Sequence, residues 1–462
     1  MNTSKENRLF SRLPLSRSML KNLNLLGYQE MTPIQFKSLP HILDGKDVIA
    51  KAKTGSGKTA AFGLGLLPKI NPRFFGAQCL ILCPTRELSD QVAGEVRRLA
   101  RGIPNIKLLT LCGGKPFSPQ ANSLKHGGHI IVGTPGRILD HLKKGTLVLD
   151  GLNTLILDEA DRMLDMGFSE AMKDIVKKVP KNRQTLLFSA TLPTDISEMS
   201  ASIQVEPIVI DVQAEQAANP IRQYFYQTTS RRKSLIRLFS HHKIQTALVF
   251  CKTRVDCNQM SDWLNEHKIS ATAIHSDLDQ RERDQALIRF ANGSCPVLVA
   301  TDVAARGLDI KALPAVINYE LPKDPAVYLH RIGRTGRAGE TGLALSLYQD
   351  YETSFVELLA SEHKNQSQLS EAKHLKPNAG YRLTPEMTTI EINSGRRNKL
   401  RPGDILGALT GEGGLIGDQI GKINILDTVS YVALEHQVVR QALGYLGNGK
   451  IKGRTVRARK LR

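Results

Sequence analysis

Two tandem doubly wound α/β domains with parallel sheets, followed by a small α+β unit, make up the fold that this sequence predicts. Three observations carry that prediction. The chain has 462 residues, too many for one ordinary domain and suited to about three. Two series of short apolar runs alternate with longer helical patterns. A polar break then precedes a last stretch in which strand-like and helix-like patterns come in a different order.

The first series runs "DVIAKA", "CLILCP", "HIIVGT", "TLILDE" and "TLLFSA"; the second runs "ALVFCK", "ATAIHS", "PVLVAT", "AVINYE" and "LALSLY". Continuous apolar strands separated by helices belong to parallel sheets covered on both faces. The polar stretch "DVQAEQAANP", 211–220, reads as a linker between a first domain at 1–210 and a second at 221–361. Another polar stretch, 362–381, reads as a second linker. In the last unit, 382–462, "TTIEIN", "GKINILD", "SYVALEH" and "RTVRARKL" are strand-like, with helices expected near 402–410 and 437–446. The order β-α-β-β-α-β is that of a ferredoxin-like or RRM-like fold. No solenoid-type repeat is visible, although the two large segments resemble each other in architecture.

Composition narrows the partners. An apolar content of 41% is enough for real cores. A formal net charge of +19 attracts polyanions, with nucleic acid first and an anionic membrane surface second. No run approaches the ~18 apolar residues of a membrane span. The start, "MNTSKENRLF", has no apolar signal core, so a cytoplasmic protein is expected. The six cysteines (Cys79, Cys83, Cys112, Cys251, Cys257 and Cys295) form no CxxC pair. They read as reduced core thiols, which fits the cytoplasm and argues against a zinc site.

"AKTGSGKT", 52–59, follows the strand pattern "DVIA". The phosphate-loop pattern asks for glycine at its first position and meets Ala52; Lys53, Thr54 and Ser56 fill its variable places. Gly55, Gly57, Lys58 and Thr59 are intact. Glycines let backbone N–H groups turn toward phosphate oxygens, and the following helix aims its N-terminus at them. Lys58 can then reach the β- and γ-phosphates of ATP, and the Thr59 hydroxyl can ligate Mg²⁺. "LILDEADRML", 155–164, ends an apolar strand in adjacent carboxylates, Asp158 and Glu159. A strand running into an acid-capped helix would explain them locally. Next to a phosphate loop, Asp158 fits the metal side and Glu159 fits a residue that orients or activates the attacking water.

Asp158-Glu159-Ala160-Asp161 spells D-E-A-D, and the chain resembles the DEAD-box ATP-dependent RNA helicases along about its first 350 residues. "GYQEMTPIQ", 27–35, looks like the family's adenine-recognising motif, with Gln35 on adenine and Phe10 as the base-stacking aromatic. "PTREL" (84–88), Gly113-Gly114 and "TPGR" (134–137) match RNA-contacting motifs; "SAT" (189–191) matches the motif linking nucleotide state to RNA. "VFCKT", Gln280 to Arg283, "ATDVAARGLD" and "HRIGRTGR" follow in the family's order. The resemblance implies two RecA-like domains. It implies RNA contacts from Pro84, Thr85, Arg86, Gly114, Thr134, Pro135, Gly136, Arg137, Thr253, Arg283 and Thr301. Gly307 and Asp309 are expected near the nucleotide's ribose, with Arg334 and Arg337 as arginine fingers. Guanidinium groups suit that task because they stay ionised and bind oxygens bidentately. His330 could be a general base by residue type alone; the resemblance gives it a coupling role. Domain closure would complete the catalytic site and the RNA groove together, and contacts to phosphates and 2′-hydroxyls give RNA preference without sequence reading.

Residues 382–462 hold 14 Lys/Arg against 7 Asp/Glu, a net of +7. The last fifteen residues hold seven basic side chains, Lys450, Lys452 and Arg454 among them, and no acid. An RRM-like module that binds RNA fits this balance. Yet "TTIEIN" has no aromatic and "SYVALEH" only Tyr431, which argues for loops and basic edges rather than base stacking on the sheet. "NKLRPGDILGALTGEGGL" and "IGKINI" are similar to the DbpA subfamily. That resemblance implies targeting to a hairpin in large-subunit (23S) ribosomal RNA and a part in 50S ribosome assembly, with assembly intermediates as partners and a monomeric state. Two other classes fit the motifs: an ATP-gated RNA clamp that does not unwind, and a non-enzymatic RNA-binding protein with a relic phosphate loop. Strand-displacement and ATPase assays separate them.

Overall fold

The computed structural model describes residues 8–52, 55–212, 221–305, 313–336, 341–362, 366–376, 378 and 380–461. The chain divides into two compact units that part near residue 218. In the first, β1 (Val48–Lys51), β2 (Cys79–Leu82), β3 (Leu108–Leu111), β4 (Ile130–Gly133), β5 (Thr154–Asp158), β6 (Gln184–Ser189) and β7 (Ile208–Asp211) form one sheet. Its order is β3-β4-β2-β5-β6-β1-β7, with every pairing parallel. Strands β2, β4, β5 and β6 are buried at every position, as a sheet covered by helices on both faces requires. The two-residue pleat sends Ile81 and Ile156 into one core and Leu80, Leu155 and Leu157 into the other.

The second unit repeats the plan. β8 (Ile221–Gln227), β9 (Ala247–Phe250), β10 (Ala271–Ile274), β11 (Val297–Ala300), β12 (Ala315–Asn318), β13 (Gly342–Tyr348) and β14 (Ser367–Glu371) form a parallel sheet in the order β10-β11-β9-β12-β13-β8-β14. The last of these corrects the sequence reading of 362–381 as a linker. Ser367–Glu371 pairs with β8 along its length. Just beyond it, Ala372 and Leu375 are buried in the core with Leu238, Phe239 and Val249, and Leu383 bridges to Ile269. The stretch looked like a linker because an edge strand keeps polar residues toward water. Of the linker expected at 211–220, Asp211 ends β7 and 213–220 lie outside the described residues.

The same unit carries the small α+β element. β15 (Met387–Ile392), β16 (Ile420–Ile425), β17 (Ser430–Glu435) and β20 (Ala458–Lys460) form an antiparallel sheet in the order β16-β17-β15-β20. Helices Pro402–Thr410 and Val439–Asn448 fill the expected places, and a short hairpin of β18 (Lys450–Ile451) and β19 (Arg454–Thr455) precedes the last strand. One sheet face, with Ile390, Ile392, Val432 and Leu434, packs on Ile405, Leu409, Ala442 and Leu446 of the helices. The other face meets the helix Gln280–Ala291 and the turn after it. Glu391 accepts from Arg281 at 2.6 Å and from Gln285 at 2.9 Å. Asn292 donates to the Thr389 hydroxyl at 2.9 Å, and that hydroxyl donates to Ser294 at 2.8 Å. Tyr431 is fully buried there. The missing aromatics of this sheet thus have a structural counterpart: the face is covered by protein.

Candidate ATP and RNA sites

All strands of a parallel sheet end on one rim, so loops that follow different strands converge there. In the first unit the sheet order sorts those loops. The phosphate loop follows β1, Asp158 ends β5 and the segment 189–191 closes β6, all in one half of the sheet. Pro84-Thr85-Arg86, Gly113-Gly114 and Thr134 to Arg137 follow β2, β3 and β4 in the other half.

Gly55 and Gly57 adopt φ of 84° and 96°, the left-handed region that glycine enters without strain. Gly57 caps the helix Lys58–Leu66. Lys58 is buried, and its Nζ donates to the Ala52 carbonyl at 3.0 Å. Thr59 is half-buried in the first turn of that helix, and Ser56 is buried with its Oγ unpartnered. Lys53 and Thr54 lie outside the described residues. Gln35 is fully engaged by protein: its Oε1 accepts from the Thr32 N–H at 2.9 Å and its Nε2 donates to the Gly57 carbonyl at 3.1 Å. The expected adenine reader therefore braces the phosphate loop in this arrangement. Phe10 is only 4% exposed and packs edge-on to Tyr28 at 6.1 Å, so its ring is part of the core rather than presented for stacking.

The acidic motif is buried. Asp158 is 2% exposed, with Oδ1 lacking any partner; burial pushes its carboxyl up to about 7, against the pull of nearby Lys58. Such an orphaned carboxylate oxygen beside the phosphate loop fits a divalent-cation ligand. Glu159 takes φ 55° and ψ 52° and accepts from Arg162 Nη1 at 2.7 Å. Asp161 faces the neighbouring strand end. Its Oδ2 accepts from the N–H groups of Ala190 and Thr191 at 3.2 and 3.0 Å and from the Thr191 hydroxyl at 2.9 Å. Burial acts to raise this carboxyl, but Lys58, the Thr191 hydroxyl and Arg162 outweigh it and hold it below the usual range. The D-E-A-D and S-A-T segments are thus one hydrogen-bonded unit.

On the other half of the rim, Thr85 accepts from the Leu88 N–H at 3.2 Å and caps the helix Arg86–Leu99. Arg86 reaches across to the Gly113 carbonyl at 3.0 Å. Gly114 takes φ 70°, which favours glycine, and a Cβ there would lie 1.6 Å from that guanidinium and displace it. Thr134 and Pro135 start the helix Pro135–Lys143 with Gly136 in its first turn; Arg137 donates to the Lys115 carbonyl at 2.9 Å.

The second unit repeats the sorting. Thr253 follows β9 and caps its helix, Arg283 donates to the His275 carbonyl beyond β10 at 3.3 Å, and Thr301 follows β11. Arg334 lies beyond β12 at the end of the helix Pro325–Ile332 and is 3% exposed. Gly307, Asp309 and Arg337 lie outside the described residues. One residue between the two groups escaped the sequence reading. Arg331 is buried, grips both Asp302 oxygens at 2.6 and 2.8 Å, and also donates to Asn318 and to the Glu320 carbonyl. In the small element, the β18–β19 hairpin turns on Lys452 and Gly453 with φ of 52° and 74°. Lys450 and Arg454 flank the turn and are exposed. Lys452 donates to the Lys399 carbonyl at 3.1 Å, which gathers the hairpin with the basic stretch 396–401.

The chain matches the DEAD/DEAH box helicase family over 32–199, the helicase conserved C-terminal domain over 230–339 and the DbpA RNA binding domain over 389–460. It is 54% identical over 450 residues to the ATP-dependent RNA helicase DbpA of Escherichia coli, covering 97% of this chain and 98% of that one. It is 43% identical over 340 residues to the DEAD-box ATP-dependent RNA helicase CshA of Geobacillus kaustophilus, covering 73% of each. Among solved structures it is similar to S. cerevisiae Dbp5 bound to RNA and ADP BeF3, with a TM-score of 0.71, 28% identity and coverage of 79% of this chain and 96% of that one. The sorted rims, the linked D-E-A-D and S-A-T segments and the likeness over nearly the whole chain agree: the chain belongs to the DEAD-box ATP-dependent RNA helicases, in the branch of DbpA, and is an RNA-dependent ATPase.

Proposed function

We propose that this helicase opens short RNA duplexes locally, and that its C-terminal element directs it to a hairpin of large-subunit (23S) ribosomal RNA during assembly of the 50S subunit. In this reading Lys58 and the backbone of 52–57 bind the ATP phosphates, and Gly307 and Asp309 serve the ribose. Gln35 serves the adenine by exchanging its bonds to Thr32 and Gly57, and Phe10, buried against Tyr28, supports the adenine side from the core. Thr59 and Asp158 hold Mg²⁺, which neutralises phosphate charge when bound. Glu159 orients the attacking water, and Arg334 and Arg337 stabilise the charge that develops on the transferred group. The single observation that best supports coupling is Asp161, which ties the carboxylate motif at β5 to the 189–191 segment at β6 through three hydrogen bonds. Movement at one strand end is transmitted to the other through these bonds. RNA contacts come from Pro84 to Arg86, Gly114, Thr134 to Arg137, Thr253, Arg283 and Thr301.

For the C-terminal element, the covered sheet face and the exposed hairpin favour recognition by basic loops, with Lys450, Lys452 and Arg454 at the RNA. The protein acts as a cytoplasmic monomer in this proposal; no helix among the described residues is long and apolar enough to cross a membrane. The test is ATPase activity of the full chain titrated with a 23S hairpin fragment and a scrambled control, in the unsubstituted protein and in Lys450→Glu/Arg454→Glu. The substituted protein should lose its preference for the fragment while keeping salt-sensitive stimulation at high RNA concentration. Undiminished preference would place specificity outside this hairpin.

A further inference from the structure

Lys58, Asp158, Glu159, Asp161 and Arg162 gather at the end of β5, each no more than 6% exposed. Four of them have tasks in the proposed reading, and Arg162 has none. Its Nη1 donates to Glu159 Oε2 at 2.7 Å, with the two side chains 3% and 5% exposed.

We propose that Arg162 is a positioning residue for hydrolysis, holding one carboxylate oxygen of Glu159 so that the other is aimed at the attacking water. The proposal rests on the reading that Glu159 orients that water. Its first support is the backbone. Glu159 occupies the left-handed region, which a glutamate keeps only where its surroundings over-determine it. The second is the way one turn of helix holds the residue twice. The Glu159 carbonyl accepts from the N–H groups of Arg162 and Met163 at 3.1 and 3.2 Å, while the carboxylate is held by the Arg162 side chain. Main chain and side chain are fixed from the same place. The third is the anchor of that turn. The Arg162 N–H donates to Asp161 Oδ1 at 3.0 Å, and the other oxygen of Asp161 is bound to Ala190 and Thr191. Arg162 therefore joins the carboxylate of Glu159 to the 189–191 segment within four residues of chain.

A charge-assisted bond of this length is directional, and a planar guanidinium fixes the plane of the carboxylate it binds. A residue present only to neutralise buried carboxylates needs a positive charge and no such geometry. The two roles separate in Arg162→Lys, which keeps the charge, and Arg162→Gln, which keeps a donor without it. Both are measured in the full chain by single-turnover ATP hydrolysis with saturating RNA, by equilibrium affinity for a fluorescent ATP analogue and by thermal melting without nucleotide. Positioning predicts that hydrolysis falls about 10- to 10²-fold in both variants, the range that a misplaced reacting group costs. Nucleotide affinity should change less than about twofold, and Arg162→Lys should melt near the unsubstituted protein. A wild-type hydrolysis rate in Arg162→Lys, or parallel loss of rate and affinity in both variants, would overturn it. Glu159→Gln is the control for the underlying reading: if it hydrolyses ATP normally, that reading fails. If it is inactive while Arg162→Lys is fully active, only the positioning proposal fails.

Discussion

Replacing Arg331 with alanine should destabilise the second unit by several kcal/mol. Its guanidinium donates from Nε and Nη2 to both oxygens of Asp302 and from Nη1 to the Asn318 side chain at 3.0 Å and the Glu320 carbonyl at 2.6 Å. It also lies 4.8 Å from the centre of the Phe250 ring. Alanine leaves Asn318, wholly buried, without a donor for its oxygen, at about 1–3 kcal/mol. Losing a fully buried ion pair costs about 3–5 kcal/mol, but the Asp302 side chain is 28% exposed, so about half of that applies here. Together these give about 3–5 kcal/mol, a large share of the ~5–15 kcal/mol that holds a domain together. At about 2–4 °C per kcal/mol for a unit of this size, the melting temperature should drop by about 6–20 °C.

Arg331→Lys keeps the charge but cannot present a planar fork to three acceptors at once, so about half the loss should remain. Thermal melting of the full chain measures both. The functional consequence follows from position. Asp302 comes directly after Thr301 at the end of β11, and Arg334 is three residues beyond Arg331. Loosening the arginine should thus lower RNA-stimulated ATPase activity even at temperatures where the variant is folded. A lysine variant that melts within about 2 °C of the unsubstituted protein would show that fork geometry is not what holds this rim.

Gly57→Ala should weaken nucleotide binding at least tenfold. The added Cβ would lie 2.6 Å from Gln35 Nε2 in a backbone conformation that alanine resists, and an unchanged Kd for fluorescent ADP would refute the account. Lys58→Ala should abolish productive ATP binding, whereas Glu159→Gln should bind ATP and fail to hydrolyse it. Affinity and single-turnover rates test this pair, and equal loss of binding in both would remove the division of roles. Arg281→Glu sets a like charge against Glu391, replacing a 2.6 Å ion pair whose arginine side is 55% exposed. Hydrogen exchange at Thr389 and Tyr431 amides should rise several-fold as the sheet face separates from the helix Gln280–Ala291, and unchanged protection would count against docking through Glu391.

How much was legible in the sequence depended on where each element lies. Strands β2, β4, β5 and β6, buried throughout, read as continuous apolar runs. Strands β3, β7, β8 and β14 escaped notice: β14 is polar, and β8 mixes Arg222, Gln223 and Gln227 with its rings. β3 and β7 are four-residue edge strands with half or more of their positions not fully buried, although β10, also at an edge, was read. The site divides in the same way. Residues in contiguous motifs, such as Lys58, Thr59, Asp158 and Glu159, could be assigned tasks from order and spacing alone. Arg331 could not, because its partners Asp302, Asn318 and Glu320 are 11 to 29 positions away and meet it only in the folded sheet. Arg162 had a signal that was missed: it stands three residues after Glu159, a spacing at which helical side chains of opposite charge meet.

The C-terminal element shows how a local pattern and a tertiary contact can explain each other. An RRM-like sheet with a single aromatic, Tyr431, looked like a module poor in the usual stacking platform for RNA. In the folded chain, that face carries Thr389, Glu391 and Tyr431 against Arg281, Gln285, Asn292 and Ser294, so the positions where stacking rings would stand are occupied by a polar interface. Polar residues suit such a contact because each buried donor finds an acceptor, which an exposed aromatic row would not supply. The same contact removes the freedom a polar linker would have given, since Ser367–Glu371 belongs to the sheet and Leu383 is paired with Ile269. An RNA held by the β18–β19 hairpin is then presented from a fixed platform rather than from a tether. Any gain in local concentration under the proposed function would then come from preorganisation, not from linker length.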